Sequence, residues 1–307
     1  MKIGVKLHHS GPGATAEMMR RWTSFAETLG FRFVMAGDHV ALTPDVAASY
    51  PAPFFEACTS LAWLAAQTRT IGLGTTVLVV PYHHPLHLAQ LTTSVDVLSG
   101  GRLIVGVGVG WARQEFEALG VPFEQRGAIT DDYLAALKVL WTEQPASYEG
   151  PFVRFRDVTL DPRPVQHPHP PLWIGGDSDA ALRRAVRFGD AWHPINVHLD
   201  WIRKTALPKL AAFAEEQGRP TPALCPRIRC RITESPLPEE GRFPGEGSLD
   251  QIRRDVEALE SLGATHVLLD TKGGQFNAAS PHHHDEAWRT LSLLAEKVFD
   301  LENERVR

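Results

Sequence analysis

Asp38 and His39 carry the clearest acid–base signal in this sequence, two neighbours placed where a short apolar run ends in Gly37. An imidazole titrates near neutrality, and a nearby carboxylate can orient it or raise its pKa. A histidine satisfied by a backbone carbonyl is the plainer reading of the same residue. A second candidate is Gly175-Gly176-Asp177-Ser178, lying between a strand-like and a helix-like stretch. Glycines let backbone approach a ligand closely, and the free amides of a helix start attract an anion. Ser178 can cap that helix and also donate to a phosphate. A simple turn with a Ser or Asp cap would use the same four residues.

Other candidates carry less. Gly106, Gly108 and Gly110 alternate with valines but do not form a dinucleotide fingerprint after a first strand. They read either as a strand end bare enough for a flat ring to lie against backbone, or as tight helix–strand packing. His282-His283-His284 beside Asp285, and His83, His84 and His87, invite a metal. Neither set has the spacing of a known zinc site, so structural or mouth-lining roles are expected and no metal is assigned. A metal-dependent hydrolase is disfavoured because His8-His9 are adjacent rather than alternating, and no Gly-x-Ser-x-Gly elbow supports a serine hydrolase. Cys58, Cys225 and Cys230 are too few and too scattered for a disulfide framework.

The elements that must position these residues alternate along the whole chain. Strands are expected at 3–7, 31–36, 71–80, 102–107, 172–174, 191–195, 227–233 and 265–270. Helices are expected at 14–29, 54–67, 86–98, 129–141, 178–188, 202–217, 249–262 and 286–299. Eight strands each followed by a helix make an α/β (β/α)₈ TIM barrel, whose active site forms at the C-terminal strand ends. Seven prolines between 145 and 171, with short aromatic alternations at 152–155 and 158–160, read as an inserted hairpin and loop. The 307 residues are expected to form one domain, 1–307. A net charge of −5 disfavours nucleic-acid binding, and no run approaches 18 apolar residues, so no membrane span is indicated. The N-terminus reads as a strand rather than a secretory signal, which points to the cytoplasm.

The run from Ile71 to Trp111, IGLGTTVLVVPYHHPLHLAQLTTSVDVLSGGRLIVGVGVGW, strongly resembles the bacterial luciferase-like monooxygenase superfamily. Its nearest resemblance is to the branch that uses the deazaflavin coenzyme F420. GDH at 37–39, EALGVPF at 117–123 and PPLWIGG at 170–176 add to the resemblance, which runs from residue 1 to about 195. It implies a non-prolyl cis peptide between Thr76 and Val77, supporting the middle of the cofactor ring. It implies that Asp38 and His39 contact the ring near its reacting carbon, and that Gly108, Gly110 and Gln114 lie beside the ring and its ribityl chain. Gly175, Gly176, Asp177 and Ser178 match the phosphate cradle. Trp111 stands where a sugar-phosphate dehydrogenase branch carries Glu, which disfavours that activity. Arg229, His266 and Lys272 match no recognisable substrate-side motif.

The resemblance therefore implies an oxidoreductase moving a hydride between coenzyme F420 and a small organic substrate. His39 would donate a proton or stabilise the reduced ring, Asp38 would orient His39, and amides near Val77 would favour an anionic reduced cofactor. An alternative is a reduced-FMN monooxygenase using O₂, and another a non-catalytic cofactor-binding barrel. A homodimer is expected from the family.

Overall fold

The structure is a computed structural model, and it describes residues 1–271 and 283–307. Lys272 and His282 lie outside the described residues. The chain divides into two compact units, one of residues 1–7, 21–35 and 174–307, the other of residues 8–20 and 36–173. Each is built on the parallel strand–helix alternation expected from the sequence.

In the first unit, Lys2–Lys6 pairs in parallel with Phe33–Ala36 on one side and His266–Asp270 on the other. Arg227–Arg229 adds to His266–Asp270, with Arg229 opposite Asp270. Val267, Leu268 and Leu269 are all buried, the continuous apolar run that a parallel strand covered on both faces requires. The sequence suggests one strand over 227–233. Instead the chain breaks at Cys230, and Arg231–Ile232 pairs with Glu246–Gly247. Ala223–Leu224 is a further short strand, pairing with Ala191–His193 and not foreseen. The helix Leu249–Ser261 starts on a capping box in which Ser248 and Gln251 satisfy each other's backbone N–H.

In the second unit, Gly72–Thr75 pairs with Leu103–Gly108, and after a two-residue break Leu78–Val79 continues along the same partner. The single strand expected over 71–80 is thus interrupted at Thr76-Val77, which are joined by a non-prolyl cis peptide. The proline-rich insertion forms an antiparallel hairpin, Ala146–Glu149 with Arg154–Val158. It begins earlier than the aromatic alternation suggests, because Gly150-Pro151 make the bend. Two buried carboxylates fasten this segment. Asp132 accepts from Tyr148 Oη and the amides of Phe152 and Val153. Asp96 accepts from the amides of Val165 and Gln166 and from the Gln166 side chain.

Candidate active site

The acid–base centre lies in the second unit, just past the strand Phe33–Ala36. His39 Nδ1 donates to Glu115 Oε2 at 2.7 Å, while Glu115 Oε1 accepts from the amides of Val40 (2.7 Å) and Ala41 (3.0 Å). Glu115 sits on the short helix Arg113–Ala118 and its side chain has no exposure to water. Burial pushes its pKa up, but the bond from His39 and the Ala41 and Val40 amides outweigh burial and hold it below the usual carboxylate value. A carboxylate can only accept here, so Nδ1 carries the proton and Nε2 is the nitrogen left to give or take one. Tyr50, Phe54 and Trp111 surround the imidazole, with ring centroids 5.0, 5.4 and 5.8 Å away.

Asp38 does not orient His39, contrary to the sequence expectation. Successive residues in extended chain point to opposite sides, and the two side chains take different partners. Asp38 Oδ2 accepts from Val79 N at 3.0 Å and from His83 Nε2 at 2.7 Å. Asp38 Oδ1 is buried and has no hydrogen-bond partner among the described residues. Burial alone would lower the His83 pKa, but the hydrogen bond to Asp38 and the charges of Asp38, Glu56 and Glu115 raise it above the ordinary histidine value. Glu115 was not foreseen as a site residue, and His83 was expected only to be structural or mouth-lining.

The cis peptide at Thr76-Val77 stands as expected, and glycines pack closely against it. A Cβ on Gly108 would come within 2.7 Å of Val77 Cγ2. Gly110 has φ +79°, and a Cβ there would meet Val79 Cγ1 at 2.6 Å and Phe116 Cε2 at 2.8 Å. Both glycines thus admit the 76–79 segment at close range, and Gly110 also admits Phe116 of the helix Arg113–Ala118. Further along this segment, Thr76 N donates to Ala36 O and Val79 N to Asp38 Oδ2. Gln114 exchanges bonds with Asp45: its backbone N–H donates to Oδ2 at 3.0 Å, and its Oε1 accepts from Asp45 N at 3.1 Å.

The glycine–serine segment lies in the first unit, apart from Gly175's strand Leu172–Gly175, which begins in the other. Ser178 caps the helix Asp179–Phe188, its Oγ accepting from Ala181 N at 3.2 Å. Gly176 has φ +106°, and a Cβ there would stand 2.9 Å from Ala181 Cβ, so only glycine brings the chain this close to the helix start. Gly176, Asp177 and Ser178 are exposed, which leaves the segment open to an anion. Arg229 stacks on Phe243 and faces Glu246 Oε2 at 3.3 Å. His266 is pushed down to about 4, by burial first and then by the charge of Lys2, and is neutral near pH 7. Among the described residues, no group of three or more His, Cys, Asp or Glu side chains could hold a metal ion.

A buried imidazole–carboxylate pair beside a second buried carboxylate is an arrangement able to hold and move a proton. The luciferase-like monooxygenase family model matches residues 1–237, and the chain belongs to that family. It is 34% identical over 180 residues to an FMNH₂-dependent dimethylsulfone monooxygenase of Pseudomonas putida, a match covering 58% of this chain. That match spans about half of the relative, 48% of its length. The chain is also 32% identical over 235 residues to an uncharacterised protein of Mycobacterium tuberculosis, covering 72% of this chain and 82% of that one. The monooxygenase RslO1 of Streptomyces bottropensis superposes with a TM-score of 0.77 at 25% identity, over 96% of this chain and 98% of that one. An F420-dependent secondary alcohol dehydrogenase superposes with a TM-score of 0.76 at 16% identity, over 94% and 97%, a likeness of fold. The chain has the barrel-type α/β fold of the luciferase-like family, the class that strand counting led one to expect.

Proposed function

We propose that this protein moves a hydride between the deazaflavin coenzyme F420 and a small organic substrate, with His39 as the proton donor. The observation that carries the reading is the buried His39–Glu115 pair, which fixes the imidazole tautomer and leaves Nε2 for the reaction. Asp38 fits the bound ring on a separate ground: its Oδ1 is buried and awaits a donor. Gly175, Gly176, Asp177 and Ser178 would hold the cofactor's phosphate on the N-terminus of the helix Asp179–Phe188. When bound, the deazaflavin supplies the hydride chemistry. Glu115 orients His39, and Tyr50, Phe54 and Trp111 keep water from it. The motif resemblance between Ile71 and Trp111 supports this cofactor.

A second reading is a monooxygenase using reduced FMN and O₂. It is favoured by the 34% identity to the FMNH₂-dependent relative and by 31% identity over 166 residues to a flavin-dependent trigonelline monooxygenase component of Acinetobacter baylyi. Oxygen separates the two, because a deazaflavin reacts poorly with O₂. His39→Ala should lower turnover by about 10²- to 10⁴-fold, the range of a lost general acid, while cofactor affinity holds. Unchanged turnover in His39→Ala would remove His39 from the reaction. A homodimer remains the family-based expectation, readable by light scattering.

A further inference from the structure

We propose that His83 is a positioning residue for Asp38 and that its ionisation sets the charge this part of the site presents to an anionic cofactor. The proposal rests on the cofactor-binding reading above and adds a pH control to it.

His83 follows the short turn Val80–Tyr82, while Asp38 follows the strand Phe33–Ala36, yet the two meet at 2.7 Å. Asp38 Oδ2 is held on two sides, by His83 Nε2 and by the amide of Val79, so its carboxyl plane is fixed. That fixation aims the buried, unpartnered Oδ1 in one direction. His83 is itself nearly covered, with 11% of its side chain exposed. The charges that act on it are three carboxylates: Asp38 from the strand end, Glu56 from the cap of the helix Ala57–Ala65, and Glu115 from the helix Arg113–Ala118. The Asp38 charge also acts on the Cys58 thiol and the Tyr82 hydroxyl, and both of these pKa values are raised, so neither offers a compensating charge. Among the described residues, the charges that raise the His83 pKa are all carboxylates, and His83 is the member of this set able to turn positive.

Protonated, His83 balances Asp38 and the pair is neutral. Deprotonated, it still donates Nε2–H to Oδ2, so the geometry persists while the pair carries one negative charge. Asp38 faces the ring in the reading above, so binding of a cofactor whose reduced ring is anionic is disfavoured by the second state. Linkage sets the sign: an anionic cofactor binds the protonated form better and raises the His83 pKa further, so affinity is full below the free-protein pKa and is lost as pH rises from there to the bound value.

Two measurements test this. NMR titration of the cofactor-free protein reads His83 directly, with a midpoint expected above the ordinary 6.5 and lowered in Asp38→Asn. The dissociation constant of the reduced form of whichever of F420 or FMN binds is then followed against pH under anaerobic conditions. In the parent protein it should rise through the His83 midpoint, by up to about tenfold per pH unit over the window between the free and bound pKa values. His83→Arg, permanently charged, should bind with little pH dependence across that window, and His83→Gln should bind weakly and equally flatly. A His83 midpoint unmoved by Asp38→Asn overturns the pairing. The parent's pH dependence surviving in both His83 variants overturns the charge control. Failure of both cofactors to bind at any pH overturns the functional reading, and the coupling with it, while the cofactor-free titration still reports the pair.

Discussion

A carboxylate out of contact with water stays charged only where hydrogen bonds replace its hydration. Glu115 has three such donors, His39 and the amides of Val40 and Ala41. Glu115→Gln keeps the shape but removes the charge and one acceptor. Turnover should fall about 10²-fold, and stability by about 1–3 kcal/mol. Urea unfolding and steady-state rates check both, and a variant equal to the parent in each contradicts the role. The pH dependence of stability has two limbs of opposite sign. Glu115, with its depressed pKa, contributes stability above the ordinary 4.5 that is lost as pH falls through the depressed value. His83, with its raised pKa, contributes stability below the ordinary 6.5 that is lost as pH rises through the raised value. Glu115→Gln should therefore flatten the acid limb of a urea-midpoint profile, and His83→Gln the alkaline limb. Asp38 and His39 were legible as residue types at a strand end. Their partners were not, because Glu115 is 76 positions from His39. Nothing in Arg113-Gln114-Glu115-Phe116-Glu117 marks Glu115 as buried and Glu117 as exposed until the helix is placed.

Glycines at the element scale decide whether the site's frame closes. Gly108 and Gly110 lie where a side chain would strike Val77, Val79 or Phe116. Gly110→Ala should cost about 1–3 kcal/mol, since its positive φ adds to the collision. Calorimetry reads it, and an unshifted melting temperature would show that the 76–79 segment gives way freely. Ser178→Ala removes the cap of the helix Asp179–Phe188 and should cost about 1 kcal/mol. If Ser178 also holds the cofactor's phosphate, affinity falls with it. If it caps only, affinity stays. Long elements such as Pro85–Ser99 and Arg126–Thr142 were readable from periodicity, within a few residues at their ends. The break at Thr76-Val77 was not readable from residue pattern, because a run of β-branched residues looks the same whether or not one peptide is cis. Only the family resemblance pointed to it.

For the molecule as a whole, composition and charge bounded the answer without choosing it. A net charge of −5 sits comfortably with a small-molecule enzyme, and no described helix is long and apolar enough to cross a membrane. Strand counting reached the barrel class, whereas the proposed cofactor rests on three short segments, GDH, TTVL and WIGG, read together. The substrate stayed illegible because Arg229 and His266 are engaged in local packing, and Lys272 lies outside the described residues. A ligand bound only by the folded chain stabilises it, by about 2.7 kcal/mol at a hundredfold excess over its dissociation constant. Thermal unfolding with and without each cofactor therefore reports binding independently of turnover. The most direct test of the central claim is a fluorescence titration of coenzyme F420 and of FMN against the protein. Trp111, half exposed and 5.8 Å from His39, is the natural reporter. Saturable quenching by F420 at lower concentration than by FMN is the predicted result. Quenching by FMN alone would move the protein to the monooxygenase reading, and quenching by neither would contradict a cofactor site at His39 and Asp38.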